Sequence, residues 1–293
     1  MTELSVTITA ASDGPAFRKI LYGPQTRPTN YVPDNFLSSL QRNVNVRPHT
    51  YLNLLLNALP VTGFIAVLAL FLALFGLLLE GTLPAAALVL LAGIVFVVGW
   101  IGYEAMGRTS QATKAVKSAI LVTTFLLSLS PILRTLSQST SSDTIYALAT
   151  FLFLLSLLLF PSPYKTAGHI ATTTSVSASL VLASRLPGSE DVFALLLLAV
   201  LAFSLFPILS ERLRTTSTGP YILFTVLLSL SPLYAMSFLQ LGGTSLIPAY
   251  AIIICAVTFG GPAALLYSQR FKNEIRGPWD PAVPLIRPMK GGL

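Results

Sequence analysis

Apolar residues along this chain gather into runs of roughly 18 to 22, the length a helix needs to cross about 30 Å of hydrocarbon. Eight runs are readable, at 58–79, 83–103, 115–133, 144–160, 166–186, 192–209, 221–241 and 246–267. The break between the first two is just Glu80-Gly81-Thr82, which predicts a tight helical hairpin. The fifth run is polar for a lipid-facing helix, since Thr172, Thr173, Thr174, Ser175, Ser177, Ser179 and Ser184 fall within it. Small hydroxyl residues let backbones approach and hydrogen-bond across helices, so this run is expected inside the bundle. If it does not span, the topology changes by one crossing. Pro131, Pro207 and Pro248 read either as broken helices at a substrate site or as plain kinks and interface starts.

Composition agrees with this pattern. Hydrophobic residues make up 54% of the 293 and charged residues 10%, against about 25% charged in an ordinary soluble domain. The fold class is therefore all-α, a polytopic membrane helical bundle of about eight transmembrane helices. A cytosolic N-terminal segment (1–57) precedes the bundle (58–267), and a cytosolic tail (268–293) follows it. Residues 1–57 hold no basic stretch followed by an apolar one, so no cleavable signal is expected and the first run itself targets the membrane. Phe17, Tyr22, Tyr31, Phe36 and Tyr51 among the charges of this segment suggest that it docks rather than stays free.

The net charge of +7 changes the picture by its distribution. With eight crossings, Arg18, Lys19, Arg27, Arg42, Arg47, Arg108, Lys114, Lys117, Lys165, Arg212, Arg214, Arg270, Lys272, Arg276, Arg287 and Lys290 all fall on one side. Arg134 and Arg185 are the two basic residues left on the other. The positive-inside rule then puts both termini in the cytosol. Basic residues flanking apolar runs, rather than forming one patch interleaved with aromatics, argue against nucleic acid as a partner.

Candidate chemistry is sparse. There are 11 acidic residues and no Asp-x-Asp pair for a metal-bound sugar nucleotide. His49 and His169 share no helix, and Cys255 is the single cysteine, so neither a His-x-x-x-His zinc site nor a disulfide is available. No P-loop or Gly-x-Ser-x-Gly occurs, and neither a metal nor a cofactor is expected. Ionisable residues deep in spans would mark a transport pathway, but Glu80, Glu104, Arg134, Asp143, Arg185 and Glu211 all fall at span ends. His169 is the nearest exception and reads as an interfacial histidine. Ser142 or Asp143 is placed to cap the fourth span, and Arg134 with Asp143 offers the alternative of a lumenal loop binding a partner or a lipid headgroup.

Particular strings carry a resemblance. Phe17-Arg18-Lys19-Ile20-Leu21-Tyr22 with Gln25, then Asn30-Tyr31-Val32-Pro33-Asp34-Asn35-Phe36-Leu37, form the first. Ser130-Pro131-Ile132-Leu133-Arg134-Thr135-Leu136 through Ser142-Asp143-Thr144-Ile145-Tyr146-Ala147-Leu148 form the second. Leu182-Ala183-Ser184-Arg185-Leu186-Pro187 and Ile275-Arg276-Gly277-Pro278-Trp279-Asp280 complete the set. In this order and spacing the four resemble the motifs of the PIG-C family over nearly the whole chain. Two departures stand out: Thr29 where the family tends to have Asp in Pro-Asp-Asn-Tyr, and Ser162-Pro163-Tyr164 where it has an Asp-Tyr pair. An acidic role at either position is not carried over.

The resemblance implies a membrane subunit of phosphatidylinositol N-acetylglucosaminyltransferase in the endoplasmic reticulum, which begins glycosylphosphatidylinositol (GPI) anchor synthesis. It further implies that a different subunit supplies the glycosyltransferase fold. A two-Rossmann-domain transferase needs large soluble α/β domains, and the longest soluble stretch here is residues 1–57. The expected role is thus a non-catalytic subunit that holds the catalytic partner at the bilayer and helps present phosphatidylinositol. Lys114 and Lys117 are candidate contacts for the anionic headgroup, although positive-inside topology alone also accounts for them. Arg134, Asp143 and Arg185 are candidate partner or lipid contacts on the lumenal side. Trp279 and Asp280, after the Gly277-Pro278 turn, are candidates for partner docking, with an interfacial aromatic anchor as the other reading. A transporter or lipid scramblase is the alternative function, marked by a polar groove along the fifth span; an intramembrane transferase ranks last because the first lumenal loop is so short.

Overall fold

The computed structural model describes residues 40–43, 49–106, 112–136, 141–160, 165–240, 243–273 and 275–276. Ten α-helical segments follow one another: α1 (Tyr51–Leu79), α2 (Ala85–Ala105), α3 (Ala112–Leu136), α4 (Ser142–Leu159), α5 (Lys165–Ala183), α6 (Ser189–Ala199), α7 (Phe206–Thr216), α8 (Thr218–Met236), α9 (Gly243–Cys255) and α10 (Gly261–Ser268). The described residues are all-α apart from a two-residue antiparallel ladder of β1 (Gln41–Arg42) with β2 (Ile275–Arg276). Contacts divide it into two units, one of residues 1–48 with 269–293 and the other of residues 49–268.

Two π-helical stretches, Val200–Leu205 and Ala256–Gly260, join α6 to α7 and α9 to α10. Each ends two residues before a proline, Pro207 and Pro262. A proline ring displaces the carbonyl one turn back and brings no N–H to it, and widening the turn carries the helix past this defect. With those joints the ten segments make eight helical bodies at the positions of the eight apolar runs. Among the described residues six helices are long and apolar enough to cross a membrane by length and composition. The other two are α3, apolar over Lys117–Leu133 among the described residues, and the hydroxyl-rich α5.

The core of the larger unit is built on aromatic rings. Phe203, in the first π stretch, is fully buried and has ring centroids at 5.2 Å from Phe71, 5.8 Å from Phe153 and 6.2 Å from Phe64. Phe64 in turn stacks on Phe160 at 4.2 Å. Edge-on and tilted pairs of this kind add to the dispersion that holds helices together where lipid competes equally for apolar surface. Leu74, Leu78, Leu88, Leu182, Val192 and Leu195 extend the same cluster.

The expected hairpin of the first two helices does not form. The turn itself is tight, with Gly81 at φ +71°, a left-handed conformation that suits glycine. Among the described residues α2 nevertheless packs along α6 and α7, while α1 lies chiefly against α8 and the α9–α10 body. The reason is the shape of the faces: α2 buries little more than Leu88 and Ala92, so the ring-bearing face of α1 is taken by larger partners.

Candidate functional site

Hydroxyl side chains decide how α5 is used. Ala171, Ser175, Ala178, Ser179 and Leu182 form its buried face. These small residues let α4 approach along the length of α5, and Ser156 Oγ of α4 donates to the Ala171 carbonyl at 2.8 Å. Arg185, just past α5, donates through Nη1 to Ser142 Oγ in the first turn of α4 at 3.5 Å. α5 is therefore buried on one face and open on the other, so the run expected inside the bundle is only half enclosed, because its small buried residues gather on a single side.

The open face carries a groove of about 330 Å³ lined by Leu152, His169, Ile170, Thr173, Thr174 and Ser177. Thr173, Thr174 and Ser177 donate to the carbonyls of His169, Ile170 and Thr173 respectively. Back-bonding removes most of the cost of exposing a hydroxyl to lipid. A second groove, about 300 Å³ between α1 and α4, is lined mainly by Leu68, Leu72, Phe75, Phe153 and Leu154 and suits an acyl chain.

At the end of the bundle where α4 starts and α5 stops, Ser141 rather than Ser142 or Asp143 is the cap, accepting from the Thr144 N–H at 3.4 Å. The helix begins at Ser142, two residues before the expected start at Thr144, which leaves Asp143 exposed in the first turn, where a carboxylate favours the positive helix end. Nearby, the Asp191 carboxylate accepts from the Gly188 N–H at 3.1 Å and fixes the start of α6. At the opposite end Arg212 donates to the Met106 carbonyl at 3.1 Å and lies over the Tyr103 ring at 6.0 Å, closing the end of α2.

The structure thus brings Arg185 to the start of α4, where Asp143 directly follows the Ser142 that it contacts. Lys117 is exposed early in α3, and Lys114 and Arg134 fall in the same helix, whose side chains at those two positions lie outside the described residues. Lys114 and Lys117 stand about twenty residues from Arg134 along α3, so they belong to the other end of that helix. Trp279, Asp280 and the motif at residues 17–37 also lie outside the described residues. No group of three metal-ligating side chains occurs among the described residues. The groove beside His169 was legible as a run of hydroxyls; what the sequence lacked was its far wall, Leu152 of α4.

Comparison with known proteins completes the description. The family model described as GPI2, phosphatidylinositol N-acetylglucosaminyltransferase, matches residues 17–280. A phosphatidylinositol N-acetylglucosaminyltransferase GPI2 subunit of Schizosaccharomyces pombe is 32% identical over 94% of this chain and 89% of its own length. A Bos taurus protein named as a subunit of the same transferase is 32% identical over 91% of this chain and 92% of its own. A Dictyostelium discoideum relative of the same name is 34% identical over 91% and 79%. No solved structure matches the chain.

Proposed function

Because the chain belongs to the GPI2 family of phosphatidylinositol N-acetylglucosaminyltransferase, we propose that it is a membrane subunit of the complex that moves N-acetylglucosamine from its UDP donor to phosphatidylinositol. That transfer is the first step of GPI-anchor biosynthesis. In this reading the chain sits in the endoplasmic reticulum membrane with both termini proposed to be in the cytosol, holds the catalytic glycosyltransferase subunit at the bilayer, and helps present the lipid acceptor. The observation that carries it is the match over residues 17–280, which takes in both tails as well as the bundle.

Two further observations support a scaffolding role. Of the buried polar side chains, Ser156 donates across to the Ala171 carbonyl of α5, while Thr62, Ser175, Ser179 and Thr225 donate to carbonyls of their own helices, so these protons are spent within the bundle. The basic residues Arg212 and Arg214 are likewise engaged, Arg212 with Met106 and Arg214 with Glu211 at 3.4 Å. The transporter or scramblase alternative rests on the polar groove of α5. From His169 to Ser177 that groove covers about 12 Å of helix, well short of the roughly 30 Å a lipid headgroup must traverse.

A pull-down in mild detergent tests the assignment. Tagged chain is purified with and without its membrane partners, and transfer from UDP-N-acetylglucosamine to phosphatidylinositol is assayed in each. Activity confined to the co-purified assembly is expected. Activity in the chain alone would make it the catalyst, and failure to recover any transferase would move the transporter reading ahead.

A further inference from the structure

We infer that the groove between α4 and α5, lined by Leu152, His169, Ile170, Thr173, Thr174 and Ser177, is a binding site for the headgroup of a polyol phospholipid. At about 330 Å³ it lies within the size range of small-ligand sites, roughly 300 to 1,000 Å³. It is a place on the bundle surface where hydroxyls gather: the neighbouring groove of α1 and α4 is lined mainly by leucine and phenylalanine.

The hydrogen-bond directions select the ligand. Thr173, Thr174 and Ser177 each spend their proton on a carbonyl of their own helix. Toward the groove these oxygens therefore present lone pairs, and a ligand must bring the donors. A ring of hydroxyls does so, and His169, exposed at the mouth, is able to donate or accept beside them. Ile170 and Leu152 give the apolar wall that the glycerol and first methylenes require. His169 is one helical turn from Lys165 at the start of α5, on the side that the basic residues assign to the cytosol. This deepens the subunit reading and rests on it, because phosphatidylinositol is then the inositol lipid that the assembly uses.

The test reconstitutes the full chain in phosphatidylcholine nanodiscs containing equal small amounts of phosphatidylinositol and phosphatidylserine, and measures by mass spectrometry the lipids that stay bound on detergent extraction. Phosphatidylserine brings the same phosphate with an amino acid in place of the ring, so enrichment reports the polyol. Wild type should enrich phosphatidylinositol, and Thr173→Val should lower that enrichment about tenfold, the loss of one or two hydrogen bonds. Thr173→Ser should preserve it. Leu152→Trp, which fills the groove from α4 without touching a hydroxyl, should abolish it; this variant stands in if Thr173→Val melts below wild type. No enrichment in wild type, or enrichment indifferent to both Thr173→Val and Leu152→Trp, overturns the site. Capture of the transferase subunit is read on the same samples: loss of enrichment with capture intact supports the site, and loss of capture with lipid retention unchanged makes the groove a seat for a partner helix and overturns it. Lipid enrichment in a chain that captures no transferase would leave the site standing and remove the subunit reading.

Discussion

Phe203→Ala is the sharpest test of how the bundle is held. The ring is fully buried and meets three others, Phe71, Phe153 and Phe64, at 5.2, 5.8 and 6.2 Å. In a water-soluble protein a buried Phe→Ala change costs about 3 to 5 kcal/mol, part of it lost transfer from water and part the cavity left behind. Inside a bilayer the unfolded helices already sit in hydrocarbon, so the transfer part falls away. What remains is the cavity and the ring pairs, which at about 0.5 to 1 kcal/mol each place the loss near 3 kcal/mol. For a bundle of this size that corresponds to a drop of roughly 6 to 12 °C in melting temperature. The assay is thermal unfolding in mild detergent followed by size-exclusion chromatography, with Phe151→Ala as the control. Phe151 is 61% exposed on the lipid side of α4, and its removal should shift the melt by less than about 2 °C. Equal shifts for the two variants would refute the claim that the rings, rather than general hydrophobicity, hold these helices.

Three further outcomes follow from particular contacts. A Cβ on Gly188 would lie 2.5 Å from the Asp191 carboxylate that accepts from its N–H, so Gly188→Ala should cost about 1 kcal/mol and add little in the Asp191→Ala background; additive melting shifts would show the cap to be irrelevant. Trp279→Ala should reduce capture of the transferase subunit about thirtyfold with an unchanged melt, as an aromatic anchor of roughly 2 kcal/mol implies; undiminished capture would make Trp279 a membrane anchor. In a Cys255→Ser background, a membrane-impermeant thiol reagent applied from the cytosol should label Thr216→Cys and leave Glu190→Cys untouched, because both positions are exposed and stand at opposite ends of the α6–α7 body; labelling of both would break the eight-span topology.

Much of the architecture was legible because apolar runs leave few alternatives to a spanning helix: backbone groups in lipid must be satisfied within the segment. The helix ends were less so. α1 begins at Tyr51, ahead of the apolar run, since Asn53 and Asn57 lower hydropathy without stopping a helix already under way. The cap of α4 fell on Ser141 because three consecutive residues, Ser141, Ser142 and Asp143, are all competent caps and local sequence does not choose among them. Helix partners were the least legible. A three-residue turn suggested that α1 and α2 pair, whereas the rings of α1 belong with Phe153 and Phe203, residues far along the chain. The groove beside His169 shows the same limit, since its hydroxyls are contiguous on α5 but Leu152 reaches it from α4.

The uncertain fifth span is best argued from register. Ser142 meets Arg185 and Ser156 meets Ala171, so the two contacts stand fourteen residues apart on each chain segment. One antiparallel register therefore holds over about 21 Å. α4 is among the six helices apolar enough to cross by length and composition, and a partner held to it in one register over that length is consistent with a span there. The polar composition of α5 is tolerable there because its hydroxyls donate to carbonyls and its small residues face α4. Parity then constrains α3. β1 and β2 are hydrogen-bonded to each other, and Asn43 Nδ2 donates to Asn273 Oδ1 at 3.4 Å, so the stretches on either side of the bundle in sequence meet each other. Such a meeting is what an even number of crossings predicts. With α5 added to the six, the proposed eight crossings would include α3 and would place the basic residues of both tails on the expected cytosolic face.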